Sequence, residues 1–147
     1  MKALVIFDST FGNTKIIAET IAKELGNDAK AISVPDLNLK ELTGMELLVV
    51  GSPIIGWKPS EKMGQFLASL TAGQLKGFKA ASFDTRVKIF IAGDAAKKIS
   101  QKLKKEGAEI IVPPQVFFVK GSEGPLLDGM IEKATEWATT IKTINNK

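Results

Sequence analysis

The segment Asp8-Ser9-Thr10-Phe11-Gly12-Asn13-Thr14 gathers the residues of this chain best suited to hold an anion. Three hydroxyls, one side-chain amide and a glycine fall between an apolar run, Ala3 to Phe7, and a stretch of helical period. At such a junction several backbone N–H groups are unpaired and the helix dipole favours a phosphate dianion. Gly12 lets the chain turn with positive φ and lets the phosphate come close. No Lys or Arg lies within the loop, so binding would rest on neutral donors. Without a ligand, the same residues would serve as a Ser/Thr-rich helix cap. The absences are equally informative, for the 147 residues include no His, Cys or Tyr. A Ser–His or Cys–His nucleophile pair is excluded, as are disulfides and iron–sulfur ligation, and zinc would need carboxylates alone. Redox or group-transfer chemistry must therefore come from a cofactor, or from carboxylates and lysines.

The elements that would position this loop alternate between strand-like and helical patterns. Ala3-Leu4-Val5-Ile6-Phe7 is continuously apolar, as expected of a parallel strand buried on both faces. Thr14 to Leu25 carries Ile17, Ile21 and Leu25 at four-residue spacing and stops at Gly26-Asn27. Ala29 to Val34, Leu47 to Gly51 and Lys79 to Phe83 read as strands two, three and four. Ser60 caps a helix with Met63, Phe66, Leu67 and Leu70 on one face, and Asp94 caps another carrying Ile99 and Leu103, closed by Gly107. Ile110 to Val119 is strand five, with a break, bulge or edge at Pro113-Pro114. Pro125 opens a final helix with the apolar stripe Leu127, Met130, Ile131, Ala134, Trp137 and Ile141, and Lys142 to Lys147 frays. The alternation predicts one three-layer α/β domain over residues 1–147, doubly wound around a five-stranded parallel sheet. Ligands bind such sheets beyond the carboxyl ends of the strands, here after Phe7, Gly51 and Phe83.

Val5 to Thr14, with Ala18 and Ile21 beyond, resembles the phosphate-loop signature of the flavodoxin family, and Gly51-Ser52-Pro53 resembles its second flavin loop. The short stretch from Val119 to Pro125 resembles the family's short-chain type. The resemblance implies a sheet of order 2-1-3-4-5 and noncovalently bound FMN. It also implies that the phosphate sits on Ser9, Thr10, Phe11, Gly12, Asn13 and Thr14. Ser52, Pro53, Ile54, Ile55, Gly56 and Trp57 would then pack on one face of the isoalloxazine, with Trp57 stacking on it. Gly56 matches the position where family members flip a peptide so that a carbonyl meets flavin N5. An exposed or core-edge tryptophan is the plainer account of Trp57.

The third segment, Asp84-Thr85-Arg86-Val87-Lys88-Ile89-Phe90, departs from the family pattern, which often has a tyrosine covering the outer flavin face. Asp84, Thr85, Arg86 and Phe90 are the candidates here, with Phe90 in the place of the tyrosine. Asp84 also fits as a turn-stabilising residue at a strand end. Arg86 and Lys88 bring positive charge where the family usually has negative charge. A guanidinium beside flavin N1 would favour the negatively charged reduced flavin and raise its potential.

The favoured function is a one-electron carrier that docks in turn with a reductase and an acceptor. A small FMN-dependent oxidoreductase acting on a quinone or a porphyrin, and an interaction module that has lost FMN, are the alternatives. The net charge of +4 and the cluster Lys97, Lys98, Lys102, Lys104 and Lys105 suit either a solvated helix face or a dock for an acidic protein. Nucleic acid is not expected, because aromatic residues do not interleave the lysines. Nor is membrane insertion, because no apolar run nears the roughly 20 residues required. A cytoplasmic monomer or weak dimer without a signal peptide is expected.

Overall fold

The computed structural model describes residues 1–88 and 93–145. In chain order its elements are β1 (Ala3–Phe7), α1 (Asn13–Leu25), β2 (Ala29–Ser33), β3 (Leu47–Ile55), β4 (Lys58–Pro59) and α2 (Glu61–Ser69). Then follow β5 (Lys79–Val87), α3 (Ala96–Lys105), β6 (Glu109–Ile110), β7 (Gln115–Val119) and α4 (Met130–Asn145). The sheet runs β2-β1-β3-β5, with β6 and β7 both paired to β5. Counting β6 and β7 as one strand broken at Pro113-Pro114, this is the expected order 2-1-3-4-5. Every pairing in it is parallel except β3 with the short β4.

The continuous apolarity of β1 follows from its being covered on both sides. Ala3, Val5 and Phe7 pack with α1 and α4, whereas Leu4 and Ile6 pack with residues of α2 and α3. Phe83, Phe117 and Trp137 meet edge to face in the first of these layers, with centroids 5.9 to 6.1 Å apart. Each such pair adds about 1 kcal/mol beyond the area it buries.

Several element boundaries differ from the sequence expectation. The strands β3 and β5 run four residues further than their apolar runs, to Ile55 and Val87. Ladder pairing carries them on, because Ser52 pairs with Asp84 and Pro53 with Thr85 in register. The expected second and third loops are therefore strand ends over much of their length. The last helix begins at Met130, not at Pro125. Before it the chain folds back on β7, with Val119 bridged to Leu126, the Lys120 amide donating to Pro125 O, and the Leu127 amide to Phe118 O. Leu127 and Ile131 consequently leave the buried stripe, which consists of Ala134, Trp137, Ala138 and Ile141. The helix also continues through Asn145, past the expected fraying point at Lys142.

Gly51 sits opposite Phe83 in the ladder, and a Cβ built there would lie 2.1 Å from the phenyl ring. The missing side chain makes room for the aromatic cluster in the core. Gly51→Ala should cost about 2–3 kcal/mol in urea unfolding through overpacking. Phe83→Leu added to it should recover part of that loss, whereas no recovery would mean the backbone and not the ring is strained.

Candidate functional site

The first loop is shaped by its own serine. Ser9 Oγ accepts hydrogen bonds from the Gly12 amide (3.0 Å) and the Lys15 amide (3.3 Å). Gly12, the N-cap residue of α1, takes φ +95° and offers no side chain of its own to cap it. The amides of Asn13 and Thr14 remain as orphan donors of the helix start, aligned with the positive end of its dipole. The Asn13 side chain is committed elsewhere: its Nδ2 donates to Glu123 O at 3.2 Å. Thr14 is buried, and its hydroxyl lies 2.8 Å from that of Thr85, joining α1 to the end of β5.

Ser9, Thr10, Phe11, Asn13 and Thr14 open onto a cavity of about 410 Å³. Its other walls are Pro53, Ile54 and Ile55 from β3, Thr85, Arg86 and Val87 from β5, and Val119 and Ser122 beyond β7. The volume is in the range of small-molecule sites. Its lining combines the hydroxyls and the start of α1 with apolar side chains from β3 and β5, and its single charged residue among the described ones is cationic. FMN, the cofactor implied by the resemblance, has a phosphate dianion at one end and a flat, largely apolar ring system at the other. The donor set and the walls fit both ends. A neighbouring depression of about 500 Å³, also touching Ser9, has five charged side chains on its walls, Asp8, Lys15, Glu19, Asp36 and Lys62.

The second segment ends in a two-residue hairpin turn. Ile54 pairs with Pro59 and Ile55 with Lys58, leaving Gly56 (φ +60°) and Trp57 (φ +71°) at the tip. Positive φ at both central residues suits the right-handed strand twist of such a turn. A tryptophan there costs about 1–2 kcal/mol, because its Cβ crowds the following carbonyl. Gly56 and Trp57 lie at the rim outside the cavity lining, and the indole is 56% exposed. Ser52 is buried behind the wall, accepting from the Ser60 amide and donating to Pro53 O. Ser60 in turn donates to Asp8 at 2.6 Å and caps α2 through the Met63 amide, as its position in the sequence suggests.

Asp84 does not face the cavity. It is fully buried and accepts from Arg86 Nε (2.9 Å) and Nη2 (2.5 Å) and from the Ala95 and Ala96 amides (3.2 and 2.9 Å). The hydrogen bond to Asp84 raises the Arg86 pKa above its ordinary value, against an opposing effect of burial. Arg86 therefore reaches the cavity already paired with Asp84. Lys88 lies 5.6 Å over the Phe118 ring, outside the cavity lining. Asp94 acts as a cap, with Oδ1 accepting from the Lys97 amide at 2.7 Å.

The structure thus brings ten of the sequence candidates together on one cavity: Ser9, Thr10, Phe11, Asn13, Thr14, Pro53, Ile54, Ile55, Thr85 and Arg86. Gly12, Ser52, Gly56, Trp57 and Asp84 support or flank it, and Phe90 lies outside the described residues. Val87, Val119 and Ser122 escaped the sequence reading. Nothing local marks the last two, which arrive only because β7 pairs with β5.

Comparison with known proteins shows the family and the fold. The flavodoxin family model matches residues 5–137. A flavodoxin of Maridesulfovibrio salexigens is 31% identical over 120 residues, covering 75% of this chain and 81% of that protein. Among solved structures, a flavodoxin from the domain Archaea superposes with a TM-score of 0.81 at 26% identity, covering 99% of both chains. Flavodoxin 1 of Bacillus cereus shares the fold with a TM-score of 0.79 at 22% identity, over 95% of each chain. With the family model matching most of its length and its strand order shared with solved flavodoxins, the chain belongs to the flavodoxin family, whose members bind FMN and pass electrons between redox partner proteins.

Proposed function

We propose that the whole chain acts as one flavin-binding unit carrying single electrons between a reductase and an acceptor, as a monomer or weak dimer. FMN supplies the one-electron redox chemistry when bound. Ser9, Thr10, Phe11, Gly12, Asn13 and Thr14 receive its phosphate, through hydroxyls and through the amides at the start of α1. Pro53, Ile54, Ile55, Thr85 and Arg86 wall its ring system, the Gly56-Trp57 turn flanks it, and Ser52 and Asp84 hold those walls from behind. The observation that carries this reading is the cradle of hydroxyls and helix-start amides opening onto an apolar-walled cavity. Within it, Ser9 keeps the donors converged by accepting from the Gly12 amide of its loop and the Lys15 amide of α1.

The partners we infer have acidic docking faces. Helix α3 includes Lys97, Lys98, Lys104 and Lys105, all exposed, and no acidic residue within Ala96–Lys105. Lys98 Nζ lies 3.4 Å from Trp57 O, so this cationic face adjoins the rim of the cavity. Opposite charge on a partner would steer encounter, with a rate that falls as salt rises.

Ser9→Ala removes the acceptor that shapes the loop. The ratio of FMN to riboflavin affinity, read by quenching of flavin fluorescence, should fall about tenfold, the worth of one or two hydrogen bonds. An unchanged ratio would place the phosphate elsewhere, and a wild-type chain refusing FMN would end the carrier reading. For the partner, electron transfer to an acidic protein acceptor should slow with ionic strength and slow further in Lys97→Glu/Lys98→Glu. Faster transfer in that variant would assign the docking face a different charge.

A further inference from the structure

Among the described residues Arg86 is the one charged residue on the cavity wall, and three of its five N–H donors are spent inside the protein. Its side chain is 17% exposed and forks onto a carboxylate that is 0% exposed. A planar fork on a buried carboxylate has one orientation, unlike the loose geometry of a surface pair. The same carboxylate also accepts from the Ala95 and Ala96 amides, so Asp84 gathers four donors from two elements. The start of α3 is thereby locked to the end of β5, and Ser82 Oγ reinforces it by donating to Ala96 O at 2.7 Å.

From there the chain of contacts reaches the hairpin tip. The Asp94 amide donates to Trp57 O at 3.1 Å, beside the Lys98 contact. Gly93 (φ +70°) packs so closely that a Cβ on it would lie 2.4 Å from the Trp57 Cα and O. Arg86 closes the circuit, with Nη1 donating to Gly93 O at 3.4 Å and Nη2 lying 3.8 Å from Asp94 Oδ1. A tryptophan held at positive φ needs surroundings that over-determine it, and these contacts supply them.

We propose that Asp84 is a positioning residue that presents Arg86 to the flavin cavity as half of a charge-balanced pair and, through the first turn of α3, fixes the Gly56-Trp57 turn at the cavity rim. The proposal rests on the reading of this cavity as the flavin site. Its electrostatic consequence is that the cation on the wall is offset by its own carboxylate, so the reduced, more negative flavin gains little from it. Its mechanical consequence is that the two segments flanking the ring system move as one body.

Both consequences are open to experiment with Asp84→Asn, Arg86→Gln and the double variant, which buries no unpaired charge and so tolerates the loss. In the FMN-loaded protein, the ratio of reduced-flavin to oxidised-flavin affinity, obtained from midpoint potentials, should rise about tenfold in Asp84→Asn and fall in Arg86→Gln. The double variant should return to near the wild-type ratio. A double variant that matches Arg86→Gln alone, or single variants that shift the same way, would overturn the charge balance. In the flavin-free protein, amide exchange at Asp94 should accelerate at least tenfold in Asp84→Asn and in the double variant. That amide donates to Trp57 O and not to Asp84, so an unchanged rate there, with Ala95 and Ala96 alone affected, would reduce Asp84 to a local cap. A wild-type chain that takes up no FMN would defeat the carrier reading, while amide exchange would still decide the mechanical link.

Discussion

The burial of polar side chains at the carboxyl edge of the sheet is the constraint on which this site depends. Asp8, Thr14, Ser52, Ser60, Asp84 and Thr85 are all buried there. A polar group removed from water costs several kcal/mol unless it finds a partner. Each finds one, and most of these partners lie on another element: Asp8 with Ser60, Thr14 with Thr85, Ser52 with the Ser60 amide, Asp84 with Arg86 and α3. The loops at this edge are therefore bound to one another by hydrogen bonds that cannot be exchanged cheaply for water. A ligand cavity formed between them has a defined width before any ligand arrives.

Such an arrangement also explains where strain is tolerated. Trp57 occupies a backbone region that crowds an L side chain, on an exposed turn with little packing of its own. It persists because its carbonyl accepts from the Asp94 amide and its backbone fits against Gly93. The outcome is an exposed tryptophan held on the turn that directly follows the cavity-lining Ile55. On the opposite side, the turn after β7 is held by Asn13, whose amide donates to Glu123 O and whose side chain fills the space beside Gly124. Phosphate loop and final loop are thus set against each other by one side chain that sequence alone would have aimed at the phosphate.

The alternation of β1, α1, β2, β3, α2, β5, α3 and α4 can be read from periodicity, because strands covered on both faces must be continuously apolar and their helices must carry a stripe. Ser60 and Asp94 as caps, and the break at Pro113-Pro114, are legible for the same reason: each is a local consequence of a side chain that accepts from a nearby amide or of a ring that cannot donate. The ends of β3 and β5 are not legible. Ser52 and Asp84 are polar residues in strands, and only their in-register pairing with each other accounts for them. Pro125 misled for a related reason, since the fold-back onto β7 uses long-range backbone pairing that a good helix-start residue does not reveal.

What the sequence determined by itself was the first loop: small hydroxylated residues and a glycine at a strand-to-helix junction bring hydroxyls and helix-start amides together within a few residues. What only the tertiary structure decided was the environment of the ring end. Whether Arg86 is a free cation or half of a pair depends on Asp84 lying beside it on the same strand edge and on α3 arriving with two unpaired amides. Electrostatic character in a low-dielectric site is a property of which charges lie within a few ångströms of one another, and that is fixed by packing and not by order along the chain.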